Sequence, residues 1–155
     1  MSANISNYRV VLGWLEVYIS IAFLNNSIPA NFLPPSIDDV VVVGLPLLEL
    51  ASPCKLAISY VYALEDKELG SKVKKTPILV LMNLLGVSQI KDVVNRIEEV
   101  SVVATVGLSP EASRILIETL QTLGQRFVSQ VGPLNEVKCS VSELEEVTIS
   151  RLDRI

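Results

Sequence analysis

Residues Thr76 to Arg96 read TPILVLMNLLGVSQIKDVVNR, an apolar run that breaks at a glycine and restarts with one polar face. Pro77 suits the first turn of a helix, where its fixed φ fits and its missing N–H leaves no bond unmade. Ile78 to Leu85 is apolar everywhere except Asn83, and Gly86 can take the positive φ that closes a helix. Ser88 then offers a new N-cap. Ile90, Val93, Val94 and Ile97 recur at i, i+3, i+4 and i+7, while Lys91, Asp92, Asn95 and Arg96 take the other side. This spacing predicts two helices joined by a tight break and packed into a core.

Upstream of them, Asp66 to Lys75, DKELGSKVKK, is a polar connector with a turn at Gly70 and lysines at 67, 72, 74 and 75. Before it, Cys54 to Glu65 repeats apolar residues at Leu56, Ala57, Tyr60, Val61 and Leu64, a helical spacing. Val40 to Val43 reads as a short buried strand. Asn25 to Pro35, NNSIPANFLPP, holds three prolines and three asparagines and reads as a loop. Tyr8, Val10 and Leu12, then Val17, Ile19, Ile21 and Phe23, alternate as two strands.

Downstream, Val100 to Gly107, VSVVATVG, is β-branched and uncharged, as expected of a strand covered on both faces. Ser109, Pro110 and Glu111 open a helix that runs to Gly124 with Ile115, Leu116, Leu120 and Leu123 inward. Phe127 to Val131 is a further strand candidate, stopped by Gly132 and Pro133. Ser140 with Glu143, and Ser142 with Glu145, have capping-box spacing, so a last helix begins there. Its apolar residues Leu144, Val147, Leu152 and Ile155 fall at i, i+3, i+8 and i+11. The expected fold is one α+β domain over residues 1–155, with a small, mainly antiparallel sheet covered by helices and a C-terminal helix presenting an apolar face.

Composition bounds the function. Half of the 155 residues are apolar and 19% are charged, so some apolar surface should remain outside the core as a partner-binding face. The net charge of −4 repels nucleic acid overall, so any RNA contact has to come from a local basic cluster. With no histidine, the chain lacks a Ser/His/Asp triad, a Cys/His dyad and a His-ligated zinc. Cys54 and Cys139 form no metal or redox motif, and reduced thiols in a cytoplasmic protein are the simplest reading. The apolar block Val10 to Leu24 carries Glu16 at its middle and falls short of the roughly 18 uncharged residues a membrane-spanning helix needs. No membrane partner is expected.

The seven glycines are too dispersed for a phosphate loop or a dinucleotide fingerprint, so no cofactor is expected. Acidic pairs and clusters at Asp38 and Asp39, at Glu98 and Glu99, and at Glu143, Glu145 and Glu146 suit helix first turns and solvated faces. They receive no catalytic or metal-binding role. Lys72, Lys74 and Lys75 lie just before the helix that starts near Thr76, where an anion or an RNA backbone can be held. Gln89 and Lys91 join them only if the two helices fold back on each other. The last helix either docks inward or offers Leu152 and Ile155 to another protein.

The order of these elements from Val40 to Ile155 resembles that of the small kinase-binding subunit of the KEOPS (EKC) complex, the Cgi-type or TPRKB-like family. CKLAISYVYAL resembles that family's helix with alanines on its packing face. LMNLLGVSQIKDVV resembles its apolar helix followed by a G-x-x-Q-I segment, carried here by Gly86, Gln89 and Ile90. VSVVATVG resembles its next core strand and SELEEVTISRLDRI its closing helix. The chain departs from the family at Leu79, where an acidic residue is common, and at Ser88, where a basic one is.

The resemblance implies a non-catalytic subunit that binds the small Bud-type atypical kinase or ATPase and helps recruit tRNA by its 3′ CCA end. That complex forms threonylcarbamoyl-adenosine at tRNA position 37. Kinase contact is then expected at Leu144, Val147, Arg151, Leu152 and Ile155, and tRNA contact at Lys72, Lys74, Lys75, Gln89 and Lys91. The residues alone leave two other classes open: a small ligand-binding or histidine-independent enzyme domain with an apolar pocket, and an interaction subunit of another assembly.

Overall fold

The computed structural model describes residues 5–34, 36, 39–125 and 132–153. The chain opens with a hairpin of β1 (Ile5–Leu12) and β2 (Leu15–Pro29). Leu12 lies opposite Leu15 across a two-residue turn, which Gly13 makes possible at φ 65°. The other edge of β2 pairs antiparallel with β4 (Glu99–Gly107), and their register shifts between Phe23 and Ile28. Asn25, Asn26 and Ser27 therefore belong to an irregular stretch of strand rather than to the expected loop. The ladder with β4 overrides their turn preference, and Ser27 meets Ser101 through their hydroxyls at 3.0 Å.

Two further strands complete the sheet. β3 (Val41–Leu45) pairs antiparallel with β4, and β5 (Leu134–Lys138) pairs parallel with β1, in the order β3-β4-β2-β1-β5. Among the described residues the sheet is thus mixed, with three antiparallel ladders and one parallel ladder. The strand expected over Phe127 to Val131 lies outside the described residues, and β5 is a strand that was not expected. The sequence LNEVK gave little warning of β5, because an edge strand with mostly exposed side chains has no apolar alternation to read.

The helices are α1 (Pro53–Glu68), α2 (Thr76–Leu85), α3 (Ile90–Arg96), α4 (Ala112–Thr122) and α5 (Val141–Asp153). Thr105 donates from Oγ1 to the Ala112 carbonyl at 2.6 Å, which seats α4 on the face shown by Asn7, Ser20 and Thr105 in cross-strand register. α1 and α2 pack on each other and cover the opposite face, where Tyr8, Ile19, Val106 and Val41 line up. Residues of both parities in β2 and β4 are consequently buried, including Ile19, Ser20, Val103, Thr105 and Val106. Burial on both faces is why β4 from Val100 onward reads as an uncharged run without apolar–polar alternation.

α2 ends as its sequence predicts. Gly86 sits at φ 70°, in the left-handed region, and the N–H of Val87 donates to the Met82 carbonyl. The next N-cap is Gln89 rather than Ser88, and the Gln89 side chain makes no capping bond. α2 and α3 are bent by 74° at this break. No single helix among the described residues is long and apolar enough to cross a membrane. Asn83, the polar exception in α2, donates from Nδ2 to Asp66 Oδ2 at 3.1 Å and to the Leu79 carbonyl at 3.0 Å.

The cysteines correct the expectation of free thiols. Cys54 in the first turn of α1 and Cys139 just after β5 form a disulfide across 85 residues of sequence, with their Cα atoms 5.6 Å apart. The end of β5, paired to β1, meets the start of α1 there, a long-range contact that Cys spacing alone does not encode.

Candidate functional site

Two features stand out beyond the core, and the first is the way α5 is mounted. α5 lies along α1 through a seam of polar contacts. Ser52, the N-cap of α1, donates to Glu143 Oε2 at 2.6 Å, and Lys55 pairs with Glu146 at 2.8 Å. Tyr62 and Thr148 share a 2.5 Å hydroxyl contact. Arg151 bonds Glu65 at 3.0 Å and Asp66 at 2.8 Å, with its guanidinium 4.4 Å from the centroid of the Tyr62 ring. Since Asp66 also accepts from Asn83, the ends of α1, α2 and α5 meet in one polar junction.

The expected capping box at the start of α5 forms between Ser140 and Glu143. Hydrogen bonds from Ser52, then from Ser140, hold the Glu143 carboxyl below its ordinary value. A lowered folded-state value means that the stabilising contribution is present above the unfolded carboxylate value and is lost as pH falls through the folded one. Acidification below the ordinary carboxylate range is therefore expected to loosen the first turn of α5 before the sheet. Hydrogen exchange of the α5 amides against pH would show this, and Glu143→Gln should flatten that step.

Seating α5 in this way divides the expected kinase-contact set. Val147 is buried, Leu144 is half-buried and Arg151 is engaged with α1, so these three hold the helix to its own domain. Leu152 faces out at 60% exposure, and Ile155 lies outside the described residues. Val141 and Ile149, absent from the expected set, join Leu152 on the outer face at 70% and 56% exposure. At about 100° per residue, positions 141, 149 and 152 share a side that positions 144, 147 and 151 do not. The single stripe read from the sequence had merged an inner face with an outer one.

The second feature is a cavity of about 1140 Å³ beside β3, walled by α1, α2, α3 and the segment before β3. Val41, Val43, Leu81 and Ile97 contribute apolar wall, while Lys67, Lys74 and Lys75 bring positive charge to it. Lys67 also reaches Thr76 Oγ1 at 3.4 Å, linking the end of α1 to the start of α2. The tRNA-contact set divides here too. Lys74 and Lys75 line the cavity, whereas Lys72, Gln89 and Lys91 are exposed and do not. Gln89 and Lys91 follow the far end of α2, a helix roughly 15 Å long at 1.5 Å per residue. Lys67 was visible in the connector but not as a site residue, because its place depends on how α1 packs against α2.

Neither known family models nor curated proteins match this chain. Tyr60 donates its hydroxyl to the Asp39 carbonyl at 3.2 Å, and burial, with a smaller effect of the Asp39 charge, pushes the phenol up. A phenol held protonated in this way serves as a donor, not as a base. Among the described residues no group of three or more His, Cys, Asp or Glu side chains could hold a metal ion. The cavity has the character of a binding site: apolar walls for a flat or apolar body, and ammonium groups for an attached anion.

Proposed function

We propose that this chain is a non-catalytic subunit of a KEOPS-like tRNA-modifying assembly. It binds a Bud-type atypical kinase through the outer face of α5 and holds the 3′ CCA end of tRNA at the cavity flanked by Lys67, Lys74 and Lys75. The observation that carries this reading is the mounting of α5: polar pairs together with Leu144 and Val147 hold the helix to its own domain and leave Val141, Ile149 and Leu152 facing solvent. A helix with an unpartnered apolar face suits docking on another protein. The resemblance around Gly86, Gln89 and Ile90 names the partner. The lysines supply the local positive charge that an acidic chain needs in order to hold a phosphate.

Calorimetric titration of the purified Bud-type kinase with this chain tests the reading. A saturable 1:1 complex that still forms without tRNA, and to which tRNA with an intact CCA end then adds, is the expected result. No heat of binding with either component would reject it. The cavity's volume and apolar walls favour one alternative, a small-ligand-binding domain, which predicts tight binding of a free mononucleotide or apolar anion without the kinase.

A further inference from the structure

We propose that the Cys54–Cys139 disulfide is a reversible two-electron clamp on the C-terminal arm, Gly132 to Asp153, which opens without unfolding the rest of the domain. The apolar packing of the domain lies largely outside this arm. Among the described residues, the arm contributes no buried member to the main hydrophobic core cluster, and only Val137 and Cys139 pack against that cluster from partly buried positions. Val147 is the one buried side chain described in the arm, and it lies outside that cluster. β5 is an edge strand paired to β1, and α5 packs chiefly on α1 and α2 through the polar seam. Between them runs one covalent tie, fixed at its other end to a core residue, since Cys54 is 2% exposed and belongs to the main cluster. An element that adds little to the core and is anchored by polar pairs at the domain surface, the Arg151–Asp66 pair half-buried among them, opens at low free-energy cost once its tie is cut.

The two sulfurs are unequal in a way that sets the direction of attack. Cys139 is a partly buried residue and Cys54 a fully buried one, so Cys139 is the more open of the two to an attacking thiolate. A thiolate of a dithiol reductant attacks Cys139 Sγ, the S–S bond breaks, and Cys54 leaves as a thiolate. Cys54 is the second residue of the 16-residue α1, and the partial positive charge of a helix N-terminus stabilises a thiolate leaving group. The second thiol of the reductant then attacks its own sulfur in the mixed disulfide and releases Cys139. The protein gains two electrons and two protons as two thiols, and the reductant closes as a disulfide. An oxidised dithiol reverses the exchange. The clamp does not depend on what α5 binds, although any partner on the outer face of α5 would meet that face differently in the two states.

Hydrogen exchange read by mass spectrometry on the full chain tests this, comparing the oxidised protein, the protein in excess dithiothreitol, and Cys139→Ser. The expected result is at least tenfold faster exchange across residues 141–153 in the reduced protein and the variant, with the amides of β2 and β4 still protected. Full protection should return on reoxidation with oxidised dithiothreitol. Three results would each overturn the clamp: loss of protection in β4 together with α5, an unchanged α5, or a bond that resists dithiothreitol in the native protein. If Cys139→Ser does not fold, the reduced wild-type chain gives the same reading.

Discussion

Reversing Lys67, Lys74 and Lys75 to glutamate is expected to weaken binding of a tRNA 3′ end by about 100-fold at low salt, if these lysines hold its phosphates. The chain already carries a net charge of −4, so nothing else on it compensates at long range for that loss. Each phosphate released from a cation on a single strand also removes about 0.7 from the slope of log affinity against log salt, so the slope should flatten by roughly two. The control is Lys72→Glu with Lys91→Glu, which adds negative charge away from the cavity. It should shift affinity modestly and leave the difference between tRNA with and without its CCA end intact. Filter binding across a salt series separates the cases. An unaltered slope in the triple variant, or equal losses in triple variant and control, would remove the cavity from tRNA binding.

The contrast between these lysines shows where sequence reading reaches its limit. Lys74 and Lys75 were found by their closeness to the start of α2, a local relation that the chain order preserves. Lys67 comes from the end of the preceding helix and arrives at the same cavity through the α1–α2 packing. Local signals likewise sufficed for Gly86, whose left-handed conformation ends α2, and for β4, whose burial on both faces goes with an uncharged, valine-rich run from Val100. Asn83 shows the opposite. Besides the Leu79 carbonyl of its own helix, it meets Asp66, which comes from α1 and is itself bonded by Arg151 of α5.

The C-terminal arm was the least legible part, for a related physical reason. Its elements are fixed by long-range pairs, β5 by β1, Cys139 by Cys54, and α5 by the acids and Ser52 of α1. With few buried apolar side chains it offers little periodicity to read, and the face of α5 could not be chosen from spacing alone. Polar residues such as Thr148 and Arg151 share the inward docking with Val147 and Leu144.

Leu152→Arg is expected to abolish measurable kinase binding, a loss of at least 100-fold, while leaving the isolated chain folded. Leu152 is 60% exposed, so in the free chain the new guanidinium stays in water and stability should change little. In a complex built on the outer face of α5 the same charge would be buried without a partner, at a cost of several kcal/mol. Ile149→Asp should act in the same direction, since that residue shares the face. Leu144→Arg is the informative contrast. Leu144 is half-buried toward the domain, so its replacement should first release α5 from α1, visible as lost helicity and faster exchange before any partner is added. Circular dichroism of the three variants followed by titration against the kinase separates a damaged helix from a blocked surface. Wild-type affinity in a folded Leu152→Arg chain would mean that the kinase meets some other part of this molecule, because an unpaired charge at the centre of an apolar contact cannot be silent.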